Sequence, residues 1–211
     1  MNDWQGKDGQ MTKTIKGISA PLPLANVDTD VIMPKRFLIT ITREGLADGT
    51  FADLRFDNEG ARRPDFILNK APWTQANILV VGDNFGCGSS REHAVWGMRQ
   101  LGIDACIGTS FAGIFYDNAR KNGLALPIVS HQTRDLLLRF ADDDNGAEIE
   151  IDLINRTITA GDIDAPFEMD PATQTALIRG RDDTLDSLEH AGAIREYEAG
   201  LKSEMRVSVI K

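Results

Sequence analysis

The chain has 211 residues, enough to bury one core of ordinary size, and it reads as a single domain. Its formal net charge of −9 argues against a nucleic-acid surface, which needs clustered Lys and Arg to neutralise phosphates. No stretch nears the roughly 20 apolar residues of a spanning helix, the start MNDWQGKDGQ lacks a signal peptide's regions, and two cysteines suit a reducing compartment; a cytoplasmic protein without membrane or nucleic-acid partners is expected.

Residues 1–13 are polar and without period, a flexible lead to a single domain over 14–211. A strand starts near Ile15, and Pro21 and Pro23 keep the next segment extended. Asn26, Asp28 and Asp30 favour turns, so NVDTD is a loop. Residues 35–41 mix basic and apolar side chains before a polar, Gly-containing stretch over 44–65. Phe66 to Leu68 reads as a short strand, and the continuous apolar run Ile78–Val81 as a buried one. Residues 90–101 make a helix with Ala94, Val95, Met98 and Leu101 on one face, closed by Gly102. A strand over 105–107, a helix over 111–122 and a strand over 124–129 follow, with Gly123 as the helix stop. Phe111, Ile114 and Phe115 are spaced for the buried face of that helix. This βαβαβ order calls for right-handed crossovers and a parallel core.

Residues 131–140 read as a helix with Leu136, Leu137 and Phe140 inward, and the acidic run Asp142, Asp143, Asp144 as a solvated loop. Glu148, Glu150 and Asp152 alternate with Ile149, Ile151 and Leu153, a strand with one wet face. Asn155 and Arg156 turn it into a second strand over 157–160. A helix follows Pro171 through Leu177, and residues 185–201 supply further short helices.

The chemistry concentrates in GDNFGCGSSREHA, residues 82–94, between a strand and a helix. Gly86 and Gly88 allow positive φ and close backbone approach, and the N–H groups of a first helical turn favour an anion. Ser89 with Glu92 has the spacing of a capping box, which leaves Ser90, Arg91 and His93 as surplus polar groups. The plain readings are a tight turn for the glycines, Asx-turns for Asp28 and Asp30, and a surface ion pair for Arg91. The serine-hydrolase pattern G-x-S-x-G and the nucleotide-binding G-x-G-x-x-G are both missing. A serine can still act as a general base where helix N–H groups and a cation stabilise its alkoxide, an environment that Gly88, Ser90 and Arg91 can supply. Neither His93, His131 and His190 nor Cys87 and Cys106 have the number or spacing of a metal or cluster site, so no metal is assigned to this chain. A disulfide between Cys87 and Cys106 is the alternative use of the thiols.

With NVDTDVIMPKRFL at 26–38, SFAGIFYDNARKNGLALPI at 110–128 and DDTLDSLEHAGAIREYEAG at 182–200, the loop sequence resembles the isopropylmalate dehydratase small-subunit family. That family is similar in turn to the swivelling domain of aconitase, and the ordered blocks cover nearly all of the chain after about residue 11. The resemblance implies an α/β fold, a three-layer β/β/α swivelling domain with a parallel βαβαβ core and a peripheral hairpin. It implies a hydro-lyase subunit of leucine biosynthesis that isomerises 2-isopropylmalate by dehydration and rehydration. Ser89 would then abstract the carbon-bound proton, while Ser90, Arg91, Thr29, Asp30 and Gly88 bind a dicarboxylate substrate. The resemblance places a 4Fe-4S cluster in a large-subunit partner and no cofactor on this chain. Where the family reads close to QIIPKQFL or MIIPKQFL, this chain has VIMPKRFL. The departures at Val31, Met33 and Arg36 bear on which malate is used, and Lys35 or Arg36 is a candidate to reach it. A homoaconitate or citramalate hydro-lyase subunit and a non-catalytic anion-binding module are the competing readings.

Overall fold

A continuous apolar strand must be covered on both faces, and Ile78–Val81 is. In the computed structural model, which describes residues 13–38, 45–89, 91–143, 146–180, 192 and 195–197, Leu79 and Val81 join one hydrophobic cluster and Ile78 and Val80 a second. The elements in chain order are β1 (Thr14–Leu22), three one-turn helices α1 (Thr29–Ile32), α2 (Leu46–Gly49) and α3 (Ala52–Arg55), then β2 (Ile78–Val81), α4 (Glu92–Gln100) and β3 (Ala105–Ile107). They continue with α5 (Gly113–Lys121), α6 (His131–Ala141), β4 (Glu148–Asp152), β5 (Thr157–Ala160), β6 (Ile163–Pro166) and α7 (Pro171–Arg179). The chain divides into two compact units, Met1–Gly180 and Arg181–Lys211. All of these elements belong to the first unit; of the second, residues 192 and 195–197 are helical. The lead before Lys13, and most of the helices expected over 185–201, lie outside the described residues.

One six-stranded sheet runs in the order β3-β2-β1-β4-β5-β6. Residues 14–18 of β1 pair antiparallel with β4, and residues 19–22 pair parallel with β2. At the changeover the fully buried Ser19 donates both its N–H and its hydroxyl to the carbonyl of Ala147, each at 2.8 Å. The parallel part β1-β2-β3 and the antiparallel part β4-β5-β6 together give the expected α/β fold. Met98 of α4 and Phe115 and Ala119 of α5 cover one face of the parallel strands, and Leu137 and Ala141 of α6 the other. Replacing Leu137, which is fully buried, with alanine is expected to destabilise the fold by about 2–5 kcal/mol, read as a lower midpoint in urea unfolding.

Several expectations need correction. Residues 66–68 form no strand: a 3-10 turn runs over Ile67–Asn69, and the Asn69 side chain donates to the carbonyls of Arg55 (2.7 Å) and Arg63 (2.9 Å) where a ladder would have been. Residues 124–129 run parallel beside β3 but make only isolated bridges, Ala105 to Ala125 and Gly108 to Ile128, because Pro127 has no N–H to give. The helix expected from Phe111 starts at Gly113, since Phe111 is bridged to Phe85. Only Phe115 of the expected apolar face is fully inside; Ile114 is 53% exposed. Likewise Leu137 is buried while Leu136 faces out.

The β4–β5 hairpin is present, its turn held by the Asp152 carboxylate accepting from the N–H groups of Ile154 (2.7 Å) and Asn155 (2.9 Å). The third antiparallel strand, β6, is additional to the expected elements. Among the described residues no helix is long and apolar enough to cross a membrane.

Candidate active site

The loop that leaves β2 cannot close into helix at once, because three of its residues have left-handed backbone. Asn84 has φ 55°, Gly86 φ 77° and Gly88 φ 92°. At Gly86 space also forbids a side chain, as a Cβ would lie 2.2 Å from the Phe115 ring. At Gly88 the conformation alone demands glycine, with the nearest atom 3.4 Å from such a Cβ.

Two segments hold this loop. On one side the Gly86 N–H donates to Val27 O (2.8 Å), the Thr29 N–H to Cys87 O (2.8 Å) and the Thr29 hydroxyl to Ser89 O (2.8 Å). On the other, the Asn84 N–H donates to the Ser110 hydroxyl (2.9 Å) and the Ala112 N–H to Phe85 O (3.1 Å). NVDTD is therefore more ordered than a plain loop: Asp28 caps α1 by accepting from the Val31 N–H at 2.8 Å, and Thr29–Ile32 is one helical turn. This agrees with the Asx reading of Asp28.

Ser89 and Gly88 are exposed at the crest of the loop. Ser90 lies outside the described residues. Thr29 is 2% exposed and its hydroxyl donates to the Ser89 carbonyl, so it supports the serine's backbone. Arg91 and Asp30 are brought together as an ion pair, with the Arg91 side chain 10% exposed and that of Asp30 44%. Lys35 Nζ stands 3.9 Å from the other oxygen of Asp30. Arg36 instead pairs with Asp53 at 2.5 Å and lies over the Phe37 ring, and Met33 is fully buried.

The capping box is not formed. Helix α4 begins at Glu92 with Arg91 at its N-cap, and no side chain caps it there. Ser89 stands two residues upstream of that N-cap, and the Glu92 carboxylate accepts from Asn122 Nδ2 at 2.8 Å. Asn122 in turn accepts from Trp96 Nε1 at 2.8 Å, and the Trp96 ring packs on His93 with centroids 4.8 Å apart. The first-turn N–H groups of α4 thus lack a side-chain acceptor from the N-cap, and the positive end of the helix dipole stands beside Ser89.

Sequence reasoning passed over a carboxylate at the root of the loop. Asp83 accepts from the Thr109 hydroxyl and from Arg134 Nη1 (2.9 Å), and His131 Nε2 stands 3.6 Å away. The Thr109 hydrogen bond above all, with Arg134 and His131, holds its carboxyl below the usual carboxylate range. Its position directly after a parallel strand and Gly82 was the available signal.

Cys87 and Cys106 are both free, which removes the disulfide alternative. Cys106 is fully buried on β3, and burial pushes its thiol up. Among the described residues no group of three or more His, Cys, Asp or Glu side chains stands together to hold a metal. A cavity of about 740 Å³ lies apart from the loop, lined by Phe37, Asp48, Phe56 and Arg63 among others; there Arg36 is tied to Asp53 and Arg63 to the Phe56 carbonyl. Chemistry therefore points to the open loop crest rather than to that cavity.

The chain is similar to known proteins along most of its length. A family model described as the aconitase C-terminal domain matches residues 10–133. The chain is similar to the 3-isopropylmalate dehydratase small subunit of Paracoccus denitrificans, 46% identical over 187 residues that span 88% of this chain and 93% of that protein. It is 50% identical to that of a Jannaschia species over 188 residues, with 88% and 93% covered. A crystal structure of 3-isopropylmalate dehydratase from Methanocaldococcus jannaschii superposes with a TM-score of 0.63 at 28% identity, over 88% of this chain and 99% of that one. With relatives matched along nearly their whole length, the chain belongs to the 3-isopropylmalate dehydratase small-subunit family, within the aconitase C-terminal domain family.

Proposed function

We propose that Ser89 is the general base of an isopropylmalate isomerase whose active site is shared with a large subunit. The chain is the small subunit of a hydro-lyase, 3-isopropylmalate dehydratase, which moves the hydroxyl of 2-isopropylmalate to the neighbouring carbon in leucine biosynthesis. One observation carries the role of Ser89: an exposed serine stands just ahead of an uncapped helix N-terminus and a sequestered arginine.

Removing a proton from carbon requires a strong base, and a serine hydroxyl is a weak one until its alkoxide is stabilised. The N-terminus of α4 and the Arg91 guanidinium supply positive potential beside it. Arg91 binds a substrate carboxylate in this reading. Its contacts among the described residues, to Asp30 and to Met33 O at 3.5 Å, both use Nη1, leaving the rest of the planar fork for a second carboxylate. Asp30 orients that fork, and the exposed Gly88 lets substrate approach the backbone. Ser90 adds a hydroxyl to the same carboxylate.

The residues of this chain do not fit an iron–sulfur cluster: it has two cysteines, one of them fully buried on a strand. The 4Fe-4S group belongs in this reading to the large subunit. This chain's part is proton abstraction and carboxylate binding, and its place is the cytoplasm.

The purified chain is expected to be colourless and inactive alone. Mixed with a cluster-loaded large subunit it should generate the alkene intermediate's absorbance from isopropylmalate, faster than from homologous tricarboxylates or citramalate. Full-rate isomerisation by the chain alone would end the shared-site reading, and a preference for another malate would replace the substrate.

A further inference from the structure

The loop that carries Ser89 is fastened at its crest by backbone hydrogen bonds, but its root is fastened by charge. Asp83 follows Gly82 at the end of β2. Its Oδ1 accepts from the Thr109 hydroxyl, just beyond the end of β3, and from Arg134 Nη1 on α6 at 2.9 Å. Arg134 is itself mostly buried, its side chain 14% exposed, and its Nε donates to Asp135 at 2.7 Å. Immediately downstream the Asn84 N–H is taken by the Ser110 hydroxyl, and its side chain donates to Asn26 Oδ1 at 2.9 Å. One carboxylate thus gathers the ends of two parallel strands and the first turn of α6, the helix that covers the opposite face of the sheet from α4.

We propose that Arg134 and Asp83 are positioning residues for the isomerase reaction, a clamp from α6 that sets the loop on which Ser89 sits. This inference rests on the assignment of Ser89 as base. Both are held in contacts with each other and with Thr109 and Asp135. A mostly buried guanidinium shared between two carboxylates confines Asp83 more narrowly than a surface lysine would, because its fork fixes direction as well as distance. With Asp83 fixed, the left-handed turn at Asn84 starts from one place, and the backbone pairs to residues 26–29 bring Ser89 to its crest in one register. Base catalysis at carbon is sensitive to such placement, since a misplacement of about 1 Å can cost 100-fold.

Cys87 provides a readout independent of turnover. It sits half-buried within the same loop, and the other thiol, Cys106, is fully buried. The rate of iodoacetamide alkylation of the isolated chain therefore reports how far the loop exposes Cys87. The variants are Arg134→Met, Arg134→Lys, Asp83→Asn and the Arg134→Met/Asp83→Asn pair.

Each of Arg134→Met and Asp83→Asn should speed Cys87 alkylation about fivefold, the pair no more than either alone, and Arg134→Lys less. In the complex with large subunit, kcat should fall about tenfold for each with KM nearly unchanged, and Arg134→Lys should recover part of it. Circular dichroism and co-purification with the large subunit should match the unaltered protein.

Unchanged alkylation, or single effects that multiply in the pair, overturns the clamp. So does faster alkylation with unaltered kcat, or a loss of kcat that follows loss of fold or assembly. An unaltered complex that turns over no malate, with alkylation behaving as described, instead defeats the assignment of function.

Discussion

Ser89→Ala is expected to lower kcat of the reconstituted complex by about 10²–10⁴-fold, the range for a removed general base, while KM and assembly stay close to unaltered. Ser89 caps no helix. Its side chain is not the N-cap of α4, which is Arg91, and its carbonyl is already held by Thr29. Deleting an exposed hydroxyl with no capping duty leaves the backbone network in place, so stability should change by no more than about 0.5 kcal/mol. The check is turnover by alkene absorbance beside thermal unfolding of the same sample. A modest, few-fold fall in kcat with an intact fold would move the base elsewhere.

Arg91→Met is expected to lower kcat/KM roughly 100-fold, about 3 kcal/mol, mostly through KM. Methionine keeps most of the stem's apolar contact but removes the fork that a substrate carboxylate needs. Asp30 is then left with Lys35 alone, 3.9 Å away and 76% exposed, too solvated to take over. Arg91→Lys should recover only part of the loss, since a point charge cannot engage two oxygens side by side. Steady-state kinetics over a range of substrate separates these outcomes. A KM unaffected by Arg91→Met would mean that the guanidinium serves only its partnership with Asp30.

The parts of this molecule legible in the sequence are those whose causes are local. The run Ile78–Val81 announces a strand covered on both faces, and the alternation from Glu148 announces one with a wet side. The glycine pattern of residues 82–94 marks the crest of a site, because positive φ must be written into the chain where it occurs. Contacts between distant residues leave no such mark. Arg91 meets Asp30 across 61 residues and Arg134 meets Asp83 across 51, and none of the four alone announces its partner.

The start of α4 was misread for a related reason. Ser89 and Glu92 have the spacing of a cap, but Thr29, brought in from 60 residues away, fastens the Ser89 carbonyl, and Asn122 takes the Glu92 carboxylate. Residues 163–166 show too few apolar side chains to reveal a strand, and their pairing with β5 supplies what pattern does not.

The divided allegiance of β1 bears on how the molecule comes to be made. This strand emerges first, yet the carbonyl that receives both donors of Ser19 belongs to a residue 128 positions later. The parallel half can gather as soon as β2 and β3 exist, but the edge toward β4 stays open until nearly the whole first unit has left the ribosome. Such distant closure slows folding and leaves an unpaired edge in the interval. Nascent chains are therefore most exposed to aggregation after β3 and before β4, a window that a holding chaperone would shelter.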